Sequence, residues 1–282
     1  MGSGFEHAAL AVFTTLAPMG AGAFIVLTYV FLAGKPDQAA AKRLDRWTAL
    51  PLAVLAVGFA GAFMHLASPL GAFGVFAGVG SSPLSNEILA GVLFVVAAVI
   101  YWALGLAGKL SEGARRAFLI ALSVLAVVFS AFCGLAYMMH TIPTWNTPTS
   151  IVQMVGFMVA GGTVLGFCAV GFAQVGLPKG AGTVALALTL AGVVVASAGF
   201  GMQIAGLEGI RNIWGSAAQL VPAIGMMLAA FAACGLLGAV LAYVASKKAF
   251  APALMVGSCA IVAVGVFVAR IGFYGLFMGI AL

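Results

Sequence analysis

Eight apolar stretches, each long enough to cross a bilayer, run through this sequence and leave only short loops between them. A hydrocarbon core of about 30 Å needs about 20 apolar residues per helix. By that measure the spans are 9–33, 48–69, 85–107, 117–139, 151–174, 183–205, 219–245 and 252–281. The breaks fall where steric and hydrogen-bonding rules stop helices. Lys35-Pro36-Asp37 follows the first run, Ser68-Pro69 ends the second, and Ser81-Ser82-Pro83 precedes the third. Residues 109–116 precede the fourth, Pro143 and Pro148 the fifth, and Pro178-Lys179-Gly180 the sixth. Only 6% of the 282 residues are charged and 64% are hydrophobic, whereas a soluble domain carries roughly 25% charge to solvate its surface. Lipid must therefore be the solvent. The 38 glycines suit helices that pack closely through small residues. The expected fold is an all-α, polytopic membrane helix bundle, a single integral membrane domain over 1–282 with no soluble domain and no internal repeat. Residues 1–7 hold no Lys or Arg and no convincing cleavage site, so the first run reads as a retained helix rather than a signal peptide.

The charge distribution orients the bundle. Ten of the twelve basic residues lie in the loops after spans one, three, five and seven: Lys35, Lys42, Arg43, Arg46, Lys109, Arg115, Arg116, Lys179, Lys247 and Lys248. The other side keeps only Arg211 and Arg270. The positive-inside rule puts the ten in the cytoplasm and both termini outside, in the periplasm of a bacterial inner membrane. The net charge of +6 is thus a topology signal, not a nucleic-acid footprint. The four cysteines, Cys133, Cys168, Cys234 and Cys259, are scattered through apolar stretches with no CxxC. Zinc and iron–sulfur sites need clustered thiolates, so these read as small buried hydrophobes.

Polar groups that remain at membrane depth cost roughly 2.5–3.5 kcal/mol for a charge at the helix centre, and here they gather toward the outer face. His65 stands about one turn before span two breaks; it reads either as an interfacial histidine or as a base able to take a proton near neutral pH. Glu87, at the start of span three, is either an acid favoured by the helix dipole or a proton exit. His140 and Trp145 suit the interfacial belt, and Glu208 and Arg211 are spaced for a local pair if helical. Span eight as drawn would be about 45 Å long at 1.5 Å per residue. Arg270 therefore either snorkels outward or lies deep, and only the deep placement would make it a functional candidate.

These residues carry a family resemblance. The stretch from Glu6-His7 through Leu16-Ala17, followed by Gly20-Ala21-Gly22-Ala23-Phe24, resembles the opening of the dimethyl sulfoxide reductase anchor subunits. His65-Leu66-Ala67-Ser68-Pro69 resembles the family's "HLGSP", with Ala67 in place of Gly. Ser82-Pro83-Leu84-Ser85-Asn86-Glu87 resembles its "S-x-L-S-x-E" segment, and Pro143-Thr144-Trp145-Asn146-Thr147 its "P-x-W-N-T" loop. The resemblance covers the first half of the sequence. It implies an eight-helix subunit with no haem or iron–sulfur cluster of its own, holding a four-cluster iron–sulfur subunit and a molybdopterin catalytic subunit on the periplasmic side. Menaquinol would be oxidised to menaquinone near the outer face, with the residues matching His65 and Glu87 in the quinol site. To these catalytic candidates the sequence itself adds Ser68, close after His65, and Arg270, if deep, for quinol binding. With protons released outside and electrons kept outside, the module would be electroneutral.

Two other readings compete. A b-type cytochrome anchor needs axial ligands, most often histidine; with His7, His65 and His140 alone, two bis-histidine haems are excluded and one haem between His65 and His140 stays open. A small-solute transporter usually buries ionisable groups near the midplane, where only Arg270 is a candidate.

Overall fold

The computed structural model describes residues 4–65, 69–213, 215–248 and 251–279. Among these, eight helical segments are long and apolar enough to cross a membrane: Gly4–Gly34, Gln38–Met64, Pro83–Leu106, Glu112–Leu135, Thr149–Phe172, Ala181–Gly209, Ile224–Lys247 and Pro252–Gly275. The count matches the hydropathy reading, and two boundaries differ for physical reasons. The second segment starts about ten residues early because the polar stretch before it is itself helical. Asp37 caps α2 (Gln38–Trp47), accepting from the Ala40 N–H at 2.7 Å, and the backbone runs on through Thr48 into α3 (Ala49–Met64). The eighth segment ends at Gly275, so the span is 24 residues rather than the 30 expected.

The remaining helices are α1 (Ala8–Tyr29), α4 (Pro83–Leu106), α5 (Glu112–Leu135), α6 (Thr149–Phe172), α7 (Ala181–Gly206), α8 (Ile224–Lys247) and α9 (Pro252–Gly275). Serines start two of them: Ser82 accepts from Ser85 N–H before Pro83 at the first turn of α4, and Ser111 accepts from Ala114 N–H at α5. Each satisfies an orphan amide that lipid could not. A two-residue ribbon pairs Arg211-Asn212 with Gly215-Ser216 in the loop between α7 and α8. There Arg211 donates to the Glu208 carbonyl at 3.2 Å, so this stretch is not the helix that a side-chain pair between them required. Trp214 lies outside the described residues.

α1 and α6 form the centre. In each, 78% of the most apolar stretch is buried, against 28–39% in the other six segments, which present their outer faces to lipid. α1 touches α3, α5, α6 and α9, while α6 touches α1, α5, α7 and α9. The two central helices approach so closely that a Cβ on Gly162 would lie 2.5 Å from the Gly22 Cα. Dispersion over such contacts, rather than expulsion of water, holds helices together in lipid.

The two ends of the bundle differ in character. At one end Arg43 donates to the Ala173 carbonyl at 2.9 Å, tying α2 to the end of α6. Close by, a buried Arg115 forks onto both Asp45 oxygens and reaches the Tyr101 hydroxyl at 3.2 Å. At the opposite end the N-terminal turn Gly4–His7 packs on the last turns of α9. A Cβ on Gly4 would sit 2.9 Å from the Gly275 N and nearer still to the Ile271 carbonyl, so only glycine lets this turn seat. The first and last described residues therefore lie at one face of the bundle, as an even number of spans requires.

Candidate functional site

At the face where the N-terminal turn meets α9, four elements converge. The N-terminal turn supplies His7, the end of α3 supplies His65, the loop after α5 supplies Tyr137 and Trp145, and α9 supplies Arg270, Phe273 and Tyr274. His65 occupies the C-cap of α3, with its N–H on the Ala62 carbonyl at 3.1 Å and its side chain exposed. Its ring meets His7 edge to face at 5.9 Å between centroids. His7 in turn lies 5.7 Å from Tyr274 and 6.0 Å from Trp145. Trp145 is not the exposed interfacial anchor its position suggested. It is 4% exposed, donates to the Phe273 carbonyl at 2.9 Å and stacks on the Phe273 ring at 5.5 Å. His140, by contrast, is exposed, with its Nδ1 3.2 Å from the Asn146 amide nitrogen.

Arg270 takes the deep placement. It is fully buried, five residues or roughly 7.5 Å along the axis before the end of α9. Its Nε donates to the Thr14 hydroxyl of α1 at 2.9 Å. Its guanidinium carbon lies 4.1 Å from the Phe273 centroid, 4.7 Å from Tyr274 and 5.1 Å from Tyr137. Aromatic faces favour a desolvated cation, which is why it can sit inside the bundle. Thr14 also reaches the Tyr274 hydroxyl at 3.3 Å, and the Tyr274 and Tyr137 hydroxyls hydrogen-bond each other.

Glu87 is the fifth residue of α4 and 4% exposed. Ser82 caps that helix, so Glu87 is not needed there. Its side chain is buried where α4 packs on α5. Oε1 of Glu87, both terminal nitrogens of Arg270 and Nδ1 of His7 are buried without a hydrogen-bond partner among the described residues. A run of side chains thus leads inward from exposed His65 through His7 and Tyr274 to Arg270, with Glu87 buried on α4. It offers imidazoles and a carboxyl for protons, hydroxyls to relay them, and guanidinium donors for an oxygen.

Of the expected site residues, His65 connects to Arg270 through the rings of His7 and Tyr274, Glu87 is buried separately on α4, and Ser68 lies outside the described residues. Sequence reasoning weighed His7 only as a haem ligand and Cys133 only as a buried hydrophobe, and it passed over Thr14, Tyr137 and Tyr274. Tyr274 was detectable, being four residues after Arg270 and so on the same helix face. Tyr137 and Thr14 carried no signal of their own. Among the described residues, no group of three or more His, Cys, Asp or Glu side chains could hold a metal ion.

Residues 1–276 match the family model described as DMSO reductase anchor subunit (DmsC). The protein belongs to the DMSO reductase anchor subunit family. The C subunit of the anaerobic dimethyl sulfoxide reductase of Escherichia coli (strain K12) is 32% identical over 289 residues, covering 100% of this protein and 99% of that one. The anaerobic dimethyl sulfoxide reductase subunit YnfH of the same organism is 30% identical over 225 residues, covering 79% of this protein and 77% of the relative. The C subunit of the Haemophilus influenzae reductase is 32% identical over 167 residues, covering 59% and 60%. As a DMSO reductase anchor subunit, the protein is the multi-pass membrane anchor of a reductase complex, with catalytic and iron–sulfur subunits as its implied partners.

Proposed function

We propose that this anchor subunit binds menaquinol at the aromatic end of the bundle and oxidises it to menaquinone, handing the electrons to its iron–sulfur partner. The observation that carries this reading is the run of rings from exposed His65 through His7 and Tyr274 to buried Arg270, whose two terminal nitrogens have no partner among the described residues. Oxidation breaks two quinol O–H bonds, releasing two protons and two electrons. His65, at the exposed end with His7 against it, accepts one proton; the Glu87 carboxylate accepts the other. The free guanidinium nitrogens of Arg270 hold a quinol oxygen through charge-assisted hydrogen bonds. The electrons leave for the nearest cluster of a four-cluster iron–sulfur subunit and pass on to the molybdopterin subunit.

The positive-inside rule supports a cytoplasmic location for the basic end. The site, both termini and the partner subunits are then periplasmic, in a bacterial inner membrane. Protons taken from quinol at that face return to the periplasm, and no charge crosses the bilayer. The burial of Arg270 near the end of α9 rather than at midspan favours this reading over transport.

The test is menaquinol-driven reduction of the iron–sulfur clusters in the purified complex, followed by electron paramagnetic resonance. Wild type reduces the clusters, and assembled His65→Ala and Glu87→Gln complexes do so at least about a hundredfold more slowly, the low end of the range for a lost general base. Equal rates in all three would place quinol oxidation elsewhere.

A further inference from the structure

A cleft opens at the opposite, basic end of the bundle, where the turn after α1, α2, the end of α4 and the start of α5 meet. Its volume is about 820 Å³, within the roughly 300–1,000 Å³ usual for small-molecule sites. Four cations line it, Lys35, Lys42, Arg115 and Arg116, against Asp45 and Glu112. Both acids are already engaged: Arg115 forks onto Asp45, and Arg116 pairs with Glu112 at 3.2 Å. Lys35 and Lys42 form no ion pair among the described residues, so the cleft presents two uncompensated positive charges. Lys35 is held there by an unusual backbone. It lies in the left-handed region (φ +44°, ψ +59°) directly before Pro36, a conformation that both its side chain and the following proline disfavour.

One wall of the cleft is apolar and continuous with the lipid-facing side of the bundle. Leu106 lines the cleft and ends a stripe on α4 formed by Leu93, Val96, Ile100 and Ala103, all exposed and spaced three or four residues apart. A ligand fitting both features has an anionic head for Lys35 and Lys42 and an apolar tail for that stripe. We propose that this cleft binds the phosphate headgroup of an anionic phospholipid, with its acyl chains laid along α4. A basic recess between helices at a membrane surface selects such lipids by charge, and the adjoining apolar stripe favours a lipid over a freely soluble anion.

The test uses the assembled complex reconstituted in phosphatidylcholine nanodiscs, doped with spin-labelled phosphatidylglycerol or spin-labelled phosphatidylcholine. The motionally restricted fraction is read by electron paramagnetic resonance. Wild type restricts phosphatidylglycerol at least about threefold more than phosphatidylcholine, and Lys35→Ala/Lys42→Ala brings the ratio to about one. Lys179→Ala/Lys247→Ala, on the same end but outside the cleft, keeps the wild-type ratio. A ratio near one in wild type overturns the proposal, as does an equal loss in both double variants, which would mean general surface charge. Displacement of phosphatidylglycerol by inorganic phosphate at matched ionic strength would assign the cleft to a soluble anion and overturn the lipid assignment.

Discussion

Arg270 and Thr14 meet across the α9–α1 interface, Nε donating to the threonine hydroxyl at 2.9 Å. Thr14 itself donates to the Leu10 carbonyl one turn back at 2.8 Å, so its lone pairs face α9. The guanidinium is held by that one bond and by three aromatic rings. Both terminal nitrogens have no hydrogen-bond partner among the described residues.

Arg270→Lys keeps the charge and loses the planar fork, so quinol-dependent turnover should fall roughly tenfold in kcat/KM while the complex still assembles. Unchanged kcat/KM would remove Arg270 from the quinol site and leave it a packing residue.

Glu87 and Arg270 should be coupled energetically. Glu87→Gln and Arg270→Gln singly leave an imbalance of buried charge that the double variant relieves. A double-mutant cycle on quinol-driven cluster reduction should therefore give a coupling of about 0.5–3 kcal/mol. Strict additivity would mean that the two groups act independently.

His7 and His65 form a ring pair at 5.9 Å. If they share one proton-accepting step, His7→Ala should slow cluster reduction and His65→Ala should slow it more. The double variant should then be no slower than His65→Ala alone. A double variant slowed by the product of the single effects would show two separate proton routes.

Trp145→Phe keeps the stacking on Phe273 and deletes the indole N–H bond to the Phe273 carbonyl. The expected cost is about 1–2 kcal/mol, read as a lower thermal midpoint of the detergent-solubilised complex. A midpoint equal to wild type would mean that the carbonyl finds another donor.

Gly162→Ala tests the centre of the bundle. Its Cβ would press on the Gly22 backbone, which cannot rotate away, so α1 and α6 must separate at a cost of about 1–3 kcal/mol. Gly113→Ala, open to solvent on α5, should leave the midpoint within about 0.5 kcal/mol of wild type.

What the sequence determined by itself is whatever lipid decides locally. Twenty-residue apolar runs must become helices because no other open structure satisfies its own backbone in hydrocarbon. Lys and Arg gather in alternate loops and so predict the sidedness of the bundle, and His65-Leu66-Ala67-Ser68-Pro69 and Pro143-Thr144-Trp145-Asn146-Thr147 carried the family likeness. The early start of the second segment escaped hydropathy because α2 is mostly polar: it begins at the Asp37 cap and buries only a narrow face of Ala40, Leu44 and Asp45. Tertiary structure alone decided the depth of Arg270, since only its partners on α1 and in the loop after α5 make burial tolerable. It also decided that His7 belongs beside His65, because that meeting depends on Gly4 seating the N-terminal turn on α9, far away in the sequence. Side chains separated by more than two hundred residues leave no periodicity to read. Their convergence is a property of how the helices pack, and in lipid that packing is set by close contact rather than by hydropathy.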